Sequence, residues 1–211
     1  MKIKFKEQRF QLDAVQSVVD CFKGQKNIFS KFILDRGREK SNLPGQVQFL
    51  NSEGFKNKSI ELTDEEILEN IRNVQIRNGL KPSKKLEGKY NLTIEMETGT
   101  GKTYTYIRTM YELYKNYGWS KYIVVVPSIA IREGVYKSFQ ITEDHFMNLY
   151  GNKIRYFIYN SKQLHKIDQF ASDSGINVMI INSQAFNSRG KDARRIYMEL
   201  DEFASRRPID I

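Results

Sequence analysis

Hydrophobic residues along the chain recur with two different periods. After residue 89, apolar residues spaced three or four positions apart predict helices over 107–117 and 193–203. Continuous apolar runs at 122–126 and 176–182, and a mixed run at 153–160, predict strands. Runs of this type suit strands that are buried on both faces of a parallel sheet, and their alternation with helices indicates an α/β fold.

The first 89 residues follow a different pattern, and we divide the chain into three parts. The segment 1–23 ends in a predicted helix, the segment 24–89 is an insertion, and 90–211 is the main part of one domain. One face of the first helix carries the apolar residues Leu12, Val15, Val19 and Phe22.

The insertion 24–89 is predicted to be a loop followed by one helix. Up to Lys58 it is polar and punctuated by glycines, and the helix then begins at a capping box of Thr63 and Glu66. Two interpretations stay open. The insertion covers one side of the sheet, which the pattern favours, or it provides an accessory surface for DNA or a partner protein.

The stretch 90–106, YNLTIEMETGTGKTYTY, carries the clearest chemical signal. Residues 90–96 favour a strand, a glycine-rich turn follows, and a segment with helical spacing begins at Lys102. This arrangement is typical of a phosphate-binding loop, because a helix N-terminus offers unpaired N–H groups and glycines let the backbone close around a phosphate. The strict pattern expects a glycine where Met96 stands, so an ordinary strand–turn–helix junction is the alternative.

Six residues form the predicted phosphate and cofactor set: Thr98, Gly99, Thr100, Gly101, Lys102 and Thr103. The Lys102 ammonium can reach the β- and γ-phosphates of ATP, and the Thr103 hydroxyl can bind Mg²⁺. These two residues are therefore also the predicted catalytic residues.

An adenine pocket is predicted just before the first helix, at Arg9, Phe10 and Gln11. A glutamine amide carries a donor and an acceptor, so it can pair with the edge of an adenine at two points. The alternative is an ordinary solvated glutamine at a helix start. The position of this segment upstream of a phosphate loop favours the adenine pocket.

Composition narrows the remaining possibilities. The net charge of +9 suits a polyanion such as nucleic acid, although a lysine-rich solvated surface has the same charge. No apolar run approaches the roughly 20 residues of a membrane span, and the N-terminus lacks a secretory signal, so we expect a cytoplasmic protein without a membrane partner. The single cysteine, Cys21, excludes an internal disulfide, and neither His145 nor His165 has metal-ligand spacing.

Four stretches, spread over most of the chain, together resemble the helicase-like motors of superfamily 2. They are FKEQRFQLDAV at 5–15, METGTGKT at 96–103, VVVPSIAIREGV at 124–135 and INSQAFN at 181–187. More closely, they resemble the amino-terminal part of the restriction (Res) subunit of type III restriction–modification enzymes. The resemblance implies a RecA-like phosphate-loop domain with a parallel sheet flanked by helices.

The resemblance also implies roles for individual residues. Gln11 would read adenine with the help of Arg9 or Phe10, although many relatives in the superfamily carry an arginine where this chain has Gln8. The loops after two strands would contact the DNA backbone, which fixes register without reading sequence. The candidates are Ser128, Arg132, Asn182 and Ser183. For Ser128 and Arg132 the alternatives are a helix cap and a solvated helix residue.

At the level of the whole enzyme, the resemblance implies an ATP-dependent, site-specific endodeoxyribonuclease with a helicase-like ATPase. Such an enzyme couples ATP hydrolysis on Mg²⁺ to translocation or signalling along double-stranded DNA and to cleavage. Its modification (methyltransferase) subunit would recognise the DNA sequence. Another superfamily 2 motor, of type I restriction or repair, is the main alternative. A small nucleotide kinase and a DNA-binding module without activity are further ones.

The motif that hydrolysis requires is expected further along the chain. The family carries Asp-Glu after an apolar strand, and a carboxylate there would hold the metal. Asp64-Glu65-Glu66 opens a predicted helix, and Asp201-Glu202 lies within one, so neither pair fits. We therefore expect an amino-terminal piece of a larger enzyme, truncated before the Asp-Glu motif, that hydrolyses little ATP alone.

Overall fold

A computed structural model describes residues 5–28, 30–40, 47–88, 90–160 and 163–183. Within these ranges, the burial of side chains is described for all residues except those up to position 53 in the two strands, and Leu164. The predicted helix at 193–203, the Asp201-Glu202 pair and the final residues of the INSQAFN stretch lie outside these ranges. In chain order the elements are α1 (Arg9–Asp20), β1 (Ser30–Lys40), β2 (Val47–Lys56), α2 (Asp64–Arg77), α3 (Lys102–Tyr117), β3 (Lys121–Val126), α4 (Ile129–Tyr150), β4 (Arg155–Ile158), α5 (Leu164–Ser172) and β5 (Asn177–Asn182).

The three predicted strands after residue 120 form one parallel sheet in the order β3-β5-β4. Asn177 at the start of β5 pairs with Lys121 of β3 and with Arg155 of β4, so all three strands begin at the same edge. The α/β prediction is confirmed. The β5 strand is buried along most of its length, as expected, but β3 is more open, because Val125 is 53% exposed.

Helices cover both faces of this sheet. One face carries Val178 and Ile180, which belong to a core that also contains buried side chains of α3 and α4. On the opposite face, the ring of Phe157 on β4 meets the ring of Phe170 on α5 at 6.1 Å between centroids. Because successive strand residues point to opposite faces, both layers of helices are built on the alternate positions of the same strands.

Helix α1 packs on α3 and begins three residues earlier than its apolar spacing predicts, at Arg9 rather than at Leu12. Val15 and Val19 are buried, as their shared face predicts. Phe22 lies beyond the helix in a turn, and there its ring packs edge-on against Trp119 at 5.0 Å. The residues from Arg9 to Gln11 are charged, exposed or polar, so the apolar spacing does not include them.

The loop predicted at the start of the insertion is wrong. Residues 30–56 contain an antiparallel hairpin of β1 and β2, with Ser30 opposite Lys56 and Lys40 opposite Val47. The register shifts between Asp35 and Arg38, as at a β-bulge. Glycines and charges interrupt the apolar alternation of each strand, so neither segment resembles a strand by itself. The backbone hydrogen bonds between the two segments provide the missing stabilisation.

The second half of the insertion agrees with its prediction. Helix α2 begins at the capping box, in which the Thr63 hydroxyl accepts from the Glu66 amide at 3.2 Å and the Glu66 carboxylate accepts from the Thr63 amide at 2.8 Å. Ile67 is fully buried, and Ile71 and Val74 pack beside the aromatic cluster around Trp119. The helix therefore rests on the α1–α3 side of the domain.

The strand predicted over 90–96 is absent from the described structure. Tyr90 has a positive φ of 69°, and residues 91–97 belong to no helix or strand. A strand requires a neighbour that accepts and donates its backbone hydrogen bonds, and no described segment pairs with these residues. Leu92 packs against the aromatic cluster around Trp119, whereas Ile94 is 49% exposed.

Candidate functional site

The predicted phosphate loop forms a tight turn at the N-terminus of α3. Gly99 and Gly101 adopt left-handed conformations, with φ of 83° and 87°, and Gly101 is the residue that caps the helix. The Thr105 amide donates to the Gly101 carbonyl at 2.9 Å, so the helix begins within the loop. The structure thus brings Thr98–Thr103 together around a helix start, which is a favourable position for an anion.

Lys102 folds back over this turn. Its ammonium donates to the carbonyl oxygen of Glu97 at 2.7 Å, and the Thr100 hydroxyl donates to the same oxygen at 2.6 Å. Lys102 itself is exposed. The ammonium therefore lies over the turn and is accessible from solvent.

Gln11 contacts the phosphate loop directly, which the sequence did not predict. Its side-chain Nε2 donates to the Thr100 carbonyl at 2.8 Å, and the side chain is buried. A Cβ added to Gly101 would lie 2.6 Å from the same nitrogen, so only a glycine leaves room for this contact. The two other predicted adenine-pocket residues, Arg9 and Phe10, are exposed at the start of α1, next to the loop-bound Gln11.

The turn is exposed at Gly99. A Cβ added to Gly99 meets nothing within 4 Å, so the space in front of this residue is open. The described residues contain no group of three His, Cys, Asp or Glu side chains that could hold a metal ion. A hydroxyl such as that of Thr103 supplies one metal ligand, and the remaining ligands of Mg²⁺ are commonly water and phosphate oxygens.

Two cavities lie away from the loop. One, of about 510 Å³, is lined by residues of α3 and of the end of α4, including Arg108 and Tyr150. The other, of about 610 Å³, lies between α1, α2 and residues 91–95 and is lined mainly by apolar side chains. Neither contains the phosphate-loop glycines, so the candidate site is defined by the turn and the helix start.

The loops predicted to contact DNA are neighbours at the carboxyl edge of the sheet. Val126 of β3 pairs with Asn182 of β5, and the Ser183 amide donates to the Val126 carbonyl at 2.8 Å. Ser128 follows two residues later. This edge is where open α/β sheets bind ligands.

The four residues predicted to contact DNA differ in the hydrogen bonds and ion pairs that they form. The Ser128 hydroxyl accepts from the Ile131 amide at 3.3 Å, so Ser128 caps α4. Arg132, one turn further, forms an ion pair with Glu133 at 2.8 Å and is only partly exposed. The Oδ1 atom of Asn182 is buried and has no hydrogen-bond partner within the described ranges. A buried acceptor in this state costs free energy, so a donor from another group would stabilise it.

A polar network centred on the buried Arg108 and Tyr104 was not predicted from the sequence. Arg108 on α3 forms an ion pair with Glu7 at 2.8 Å and donates to the Tyr104 hydroxyl at 3.2 Å. That hydroxyl lies 2.9 Å from Nε2 of His145 on α4. The members come from three separate segments, and a polar residue on a helix such as Arg108 gives no signal of burial in the sequence.

The groups of this network shift one another's pKa values. Burial by itself would lower the pKa of Arg108, but the Glu7 carboxylate and the Tyr104 hydroxyl raise it, so the guanidinium stays charged. Burial and the nearby Arg108 charge lower the pKa of His145. A neutral imidazole is therefore favoured opposite the Tyr104 hydroxyl.

Comparison with known proteins gives one family. The model of the family described as type III restriction enzyme, res subunit, matches residues 5–203. The chain is 33% identical over 152 residues to the Res subunit of the type III restriction-modification enzyme EcoP15I of Escherichia coli, a match that covers 63% of this chain and 16% of that protein.

Two further relatives show the same likeness. The chain is 33% identical over 111 residues to the EcoPI Res subunit of Escherichia phage P1, covering 51% of this chain and 11% of the relative. It is 50% identical over 70 residues to the StyLTI Res subunit of Salmonella typhimurium, a match that covers 31% of this chain and 7% of the relative. The chain thus matches about a sixth, or less, of the length of these curated relatives.

Proposed function

Because the chain belongs to the family of type III restriction enzyme res subunits, with its RecA-like helicase fold, we propose that it forms the nucleotide-binding part of the subunit's motor. The nucleotide is ATP, and its phosphates lie in the turn at Thr98–Thr103. The observation that supports this most directly is the bond from Gln11 to the Thr100 carbonyl, because it links the adenine-pocket segment with the phosphate loop.

Each loop residue then has a defined task. The backbone N–H groups at the start of α3 and the helix dipole stabilise the phosphate charge. Lys102 would exchange its bond to the Glu97 carbonyl for bonds to the β- and γ-phosphates. Thr103 would supply a hydroxyl ligand to Mg²⁺, and the ion would neutralise phosphate charge.

The residues at the start of α1 bind the adenine in this proposal. Gln11 keeps its NH₂ group on Thr100, which leaves its side-chain carbonyl oxygen for the exocyclic amine of adenine. Phe10, whose side chain is 49% exposed, is available to cover the base. Arg9 is exposed on the same turn.

DNA contact is proposed at the carboxyl edge of the sheet. Ser128, Asn182 and Ser183 lie around the ends of β3 and β5, and Arg132 follows on the first turn of α4. The net charge of +9 favours contact with a polyanion at this edge. Contacts of this kind hold the phosphate backbone and do not read the bases.

At the level of the whole enzyme, we propose coupling of ATP hydrolysis to movement or signalling on double-stranded DNA in the cytoplasm. Cleavage of the DNA and association with a modification subunit complete this proposal. The relatives are Res subunits of type III restriction-modification enzymes, and the proposal extends that description to this chain.

The chain by itself is proposed to bind nucleotide and to hydrolyse it slowly. Among the described acidic residues, Asp64, Glu65 and Glu66 form the first turn of α2, where Glu66 belongs to the capping box. That role supports the exclusion of these three carboxylates from the metal site.

An equilibrium titration with Mg·ATP tests the nucleotide proposal. We expect Lys102→Ala to weaken binding at least tenfold, about 1.4 kcal/mol. Lys115→Ala is the matched control, since Lys115 is an exposed lysine near the other end of α3, and it should bind like the original chain. Equal affinities for all three proteins would overturn the proposal.

A further inference from the structure

Arg108 is a nearly buried charge in the middle of the helix that follows the phosphate loop. Its side chain is 11% exposed, and its Nη1 atom contacts both the Glu7 carboxylate, at 2.8 Å, and the Tyr104 hydroxyl, at 3.2 Å. Glu7 belongs to the segment that leads into α1. A charge taken out of water requires a partner of opposite charge, so this ion pair holds the segment against α3.

Aromatic contacts hold the same segment two residues earlier, at Phe5. The ring of Phe5 stacks on Tyr104 with centroids 5.9 Å apart and lies 5.0 Å from the ring of His145. Tyr104 and His145 are themselves bonded through the Tyr104 hydroxyl. Phe5 and Glu7 are therefore both attached to the α3–α4 layer immediately before α1 begins.

The position of this attachment determines where Gln11 lies. Gln8 is the N-cap of α1, directly after Glu7, and the Gln11 amide donates to the Gln8 carbonyl at 3.1 Å. Gln11 is thus in the first turn of the helix, four residues after Glu7. A shift in the start of α1 would move the Gln11 amide away from the Thr100 carbonyl.

We propose that Glu7 and Arg108 are positioning residues for the nucleotide site. Their ion pair fixes the start of α1, so that Gln11 holds the phosphate loop in the shape that receives a nucleotide. This inference rests on the proposed function for its nucleotide, but the coupling of Glu7 to the loop is a property of the protein alone.

The test replaces Glu7 by Gln in the whole chain and measures two quantities. The first is the affinity for Mg·ADP. The second is amide hydrogen exchange across 98–105 without nucleotide. We expect Glu7→Gln to weaken Mg·ADP binding about tenfold and to accelerate exchange in the loop, because Gln11 then leaves Thr100 more often.

Asp20→Asn is the matched control. Asp20 at the other end of α1 pairs with Arg77 of α2, with Nη1 and Oδ2 2.5 Å apart, so this variant removes an ion pair from the same helix without changing its start. Affinity and loop exchange should stay within about twofold of the original chain. Equal effects of the two variants would overturn the proposal, as would an unchanged Glu7→Gln variant.

A double variant separates positioning from stability. Glu7→Gln combined with Arg108→Met removes both charges, so that no unpaired guanidinium stays buried and the fold recovers stability. If the ion pair acts by positioning Gln11, the double variant should still bind Mg·ADP weakly, and amide hydrogen exchange across 98–105 should stay fast. Recovery of affinity together with stability would refute it. If the original chain binds no Mg·ADP, the proposed function fails, whereas loop exchange still decides the role of the ion pair.

Discussion

Gln11 and Thr100 are 89 positions apart in the sequence, and their side-chain amide and backbone carbonyl are 2.8 Å apart in the structure. The bond joins the first turn of α1 to the centre of the phosphate loop. It is mostly buried, so water competes weakly for it. The shape of the loop consequently depends on a residue that precedes it by an insertion with its own hairpin and helix.

Replacing Gln11 tests this bond. Gln11→Ala removes the donor, and Gln11→Glu places a carboxylate oxygen beside the Thr100 carbonyl, which adds repulsion. We expect nucleotide affinity to fall at least tenfold for Ala, because the bonds to Thr100 and to adenine, each of about 1 kcal/mol, are both lost, and further for Glu. Isothermal titration with Mg·ADP measures both.

Gln16→Ala is the control for this pair of variants. Gln16 is on the same helix and donates to Asp20 at 2.6 Å on an exposed surface. Its removal should leave affinity unchanged. A Gln16→Ala variant that binds as weakly as Gln11→Ala would show that only the stability of α1 matters.

The two loop glycines should respond differently to alanine. Both have positive φ, which alone costs roughly 1 kcal/mol for a residue with a Cβ. At Gly101 the added Cβ would also lie 2.6 Å from the Gln11 Nε2 atom, whereas at Gly99 it meets nothing within 4 Å. We expect Gly101→Ala to reduce the free energy of unfolding by about 1 kcal/mol more than Gly99→Ala, as measured by urea denaturation.

Gly79→Ala provides the reference for conformational strain. Gly79 has a φ of 70° and also has nothing within 4 Å of an added Cβ. It should lose about as much stability as Gly99→Ala. If Gly101→Ala loses no more free energy of unfolding than these two variants, Gln11 does not lie as close to the loop as the structure shows.

Stability should rise with pH between about 8 and 10 because of Lys121. Burial lowers the pKa of this lysine from 10.5 to about 8, although its ammonium donates to the Asp173 carbonyl. Between these values the unfolded chain binds a proton that the folded chain has released, so the free energy of unfolding increases with pH. Below pH 8 both states are protonated, and this group contributes no slope.

For Lys121 alone, the expected gain in the free energy of unfolding between pH 8 and 9.5 is on the order of 1–2 kcal/mol. Burial raises the pKa of Cys21 from 9.0 to about 11, and this group offsets part of the gain above pH 9. Above pH 10 stability should fall again, since burial raises the pKa of Tyr106 and Tyr117 to about 12 and the unfolded chain then loses protons that the folded chain keeps. Urea denaturation of Lys121→Met should lack the rise, and Lys137→Met, at an exposed site, should retain it. A rise that persists without Lys121 would contradict this assignment.

Arg132 is expected to contact a DNA phosphate. Arg132→Ala should weaken binding of double-stranded DNA for all sequences alike and reduce the slope of log affinity against log salt by about 1. Fluorescence anisotropy at several salt concentrations measures both. Lys137→Ala, on an exposed position of the same helix, should change neither quantity. Arg132 would be only a surface residue paired with Glu133 if the two variants behaved alike.

Local patterns were enough to predict much of the fold. The α3 helix, the Ser128 cap of α4 and the buried β5 strand each depend on neighbouring residues, and the structure confirms all three. The capping box of α2 is another local signal that was correct. Patterns of this kind are determined by the period of the backbone itself.

Features that depend on distant pairing were missed or wrong. The β1–β2 hairpin exists because two unpromising segments bond to each other, and residues 90–96 form no strand because no described segment lies beside them. The candidate site was also predicted only where its signals are local. The sequence indicated the phosphate loop from its glycines, but the contact of Gln11 with Thr100 and the pair of Glu7 with Arg108 appear only once the chain is folded.

The central proposal is a nucleotide whose phosphates lie in the turn at 98–103. Amide hydrogen exchange of the chain with and without Mg·ATP tests it most directly, because it locates the ligand as well as detecting it. We predict protection confined to the phosphate loop, the first turn of α3 and the first turn of α1, and its loss in Lys102→Ala. Protection at the cavity between α1 and α2 instead, or none at saturating Mg·ATP, would contradict the proposal.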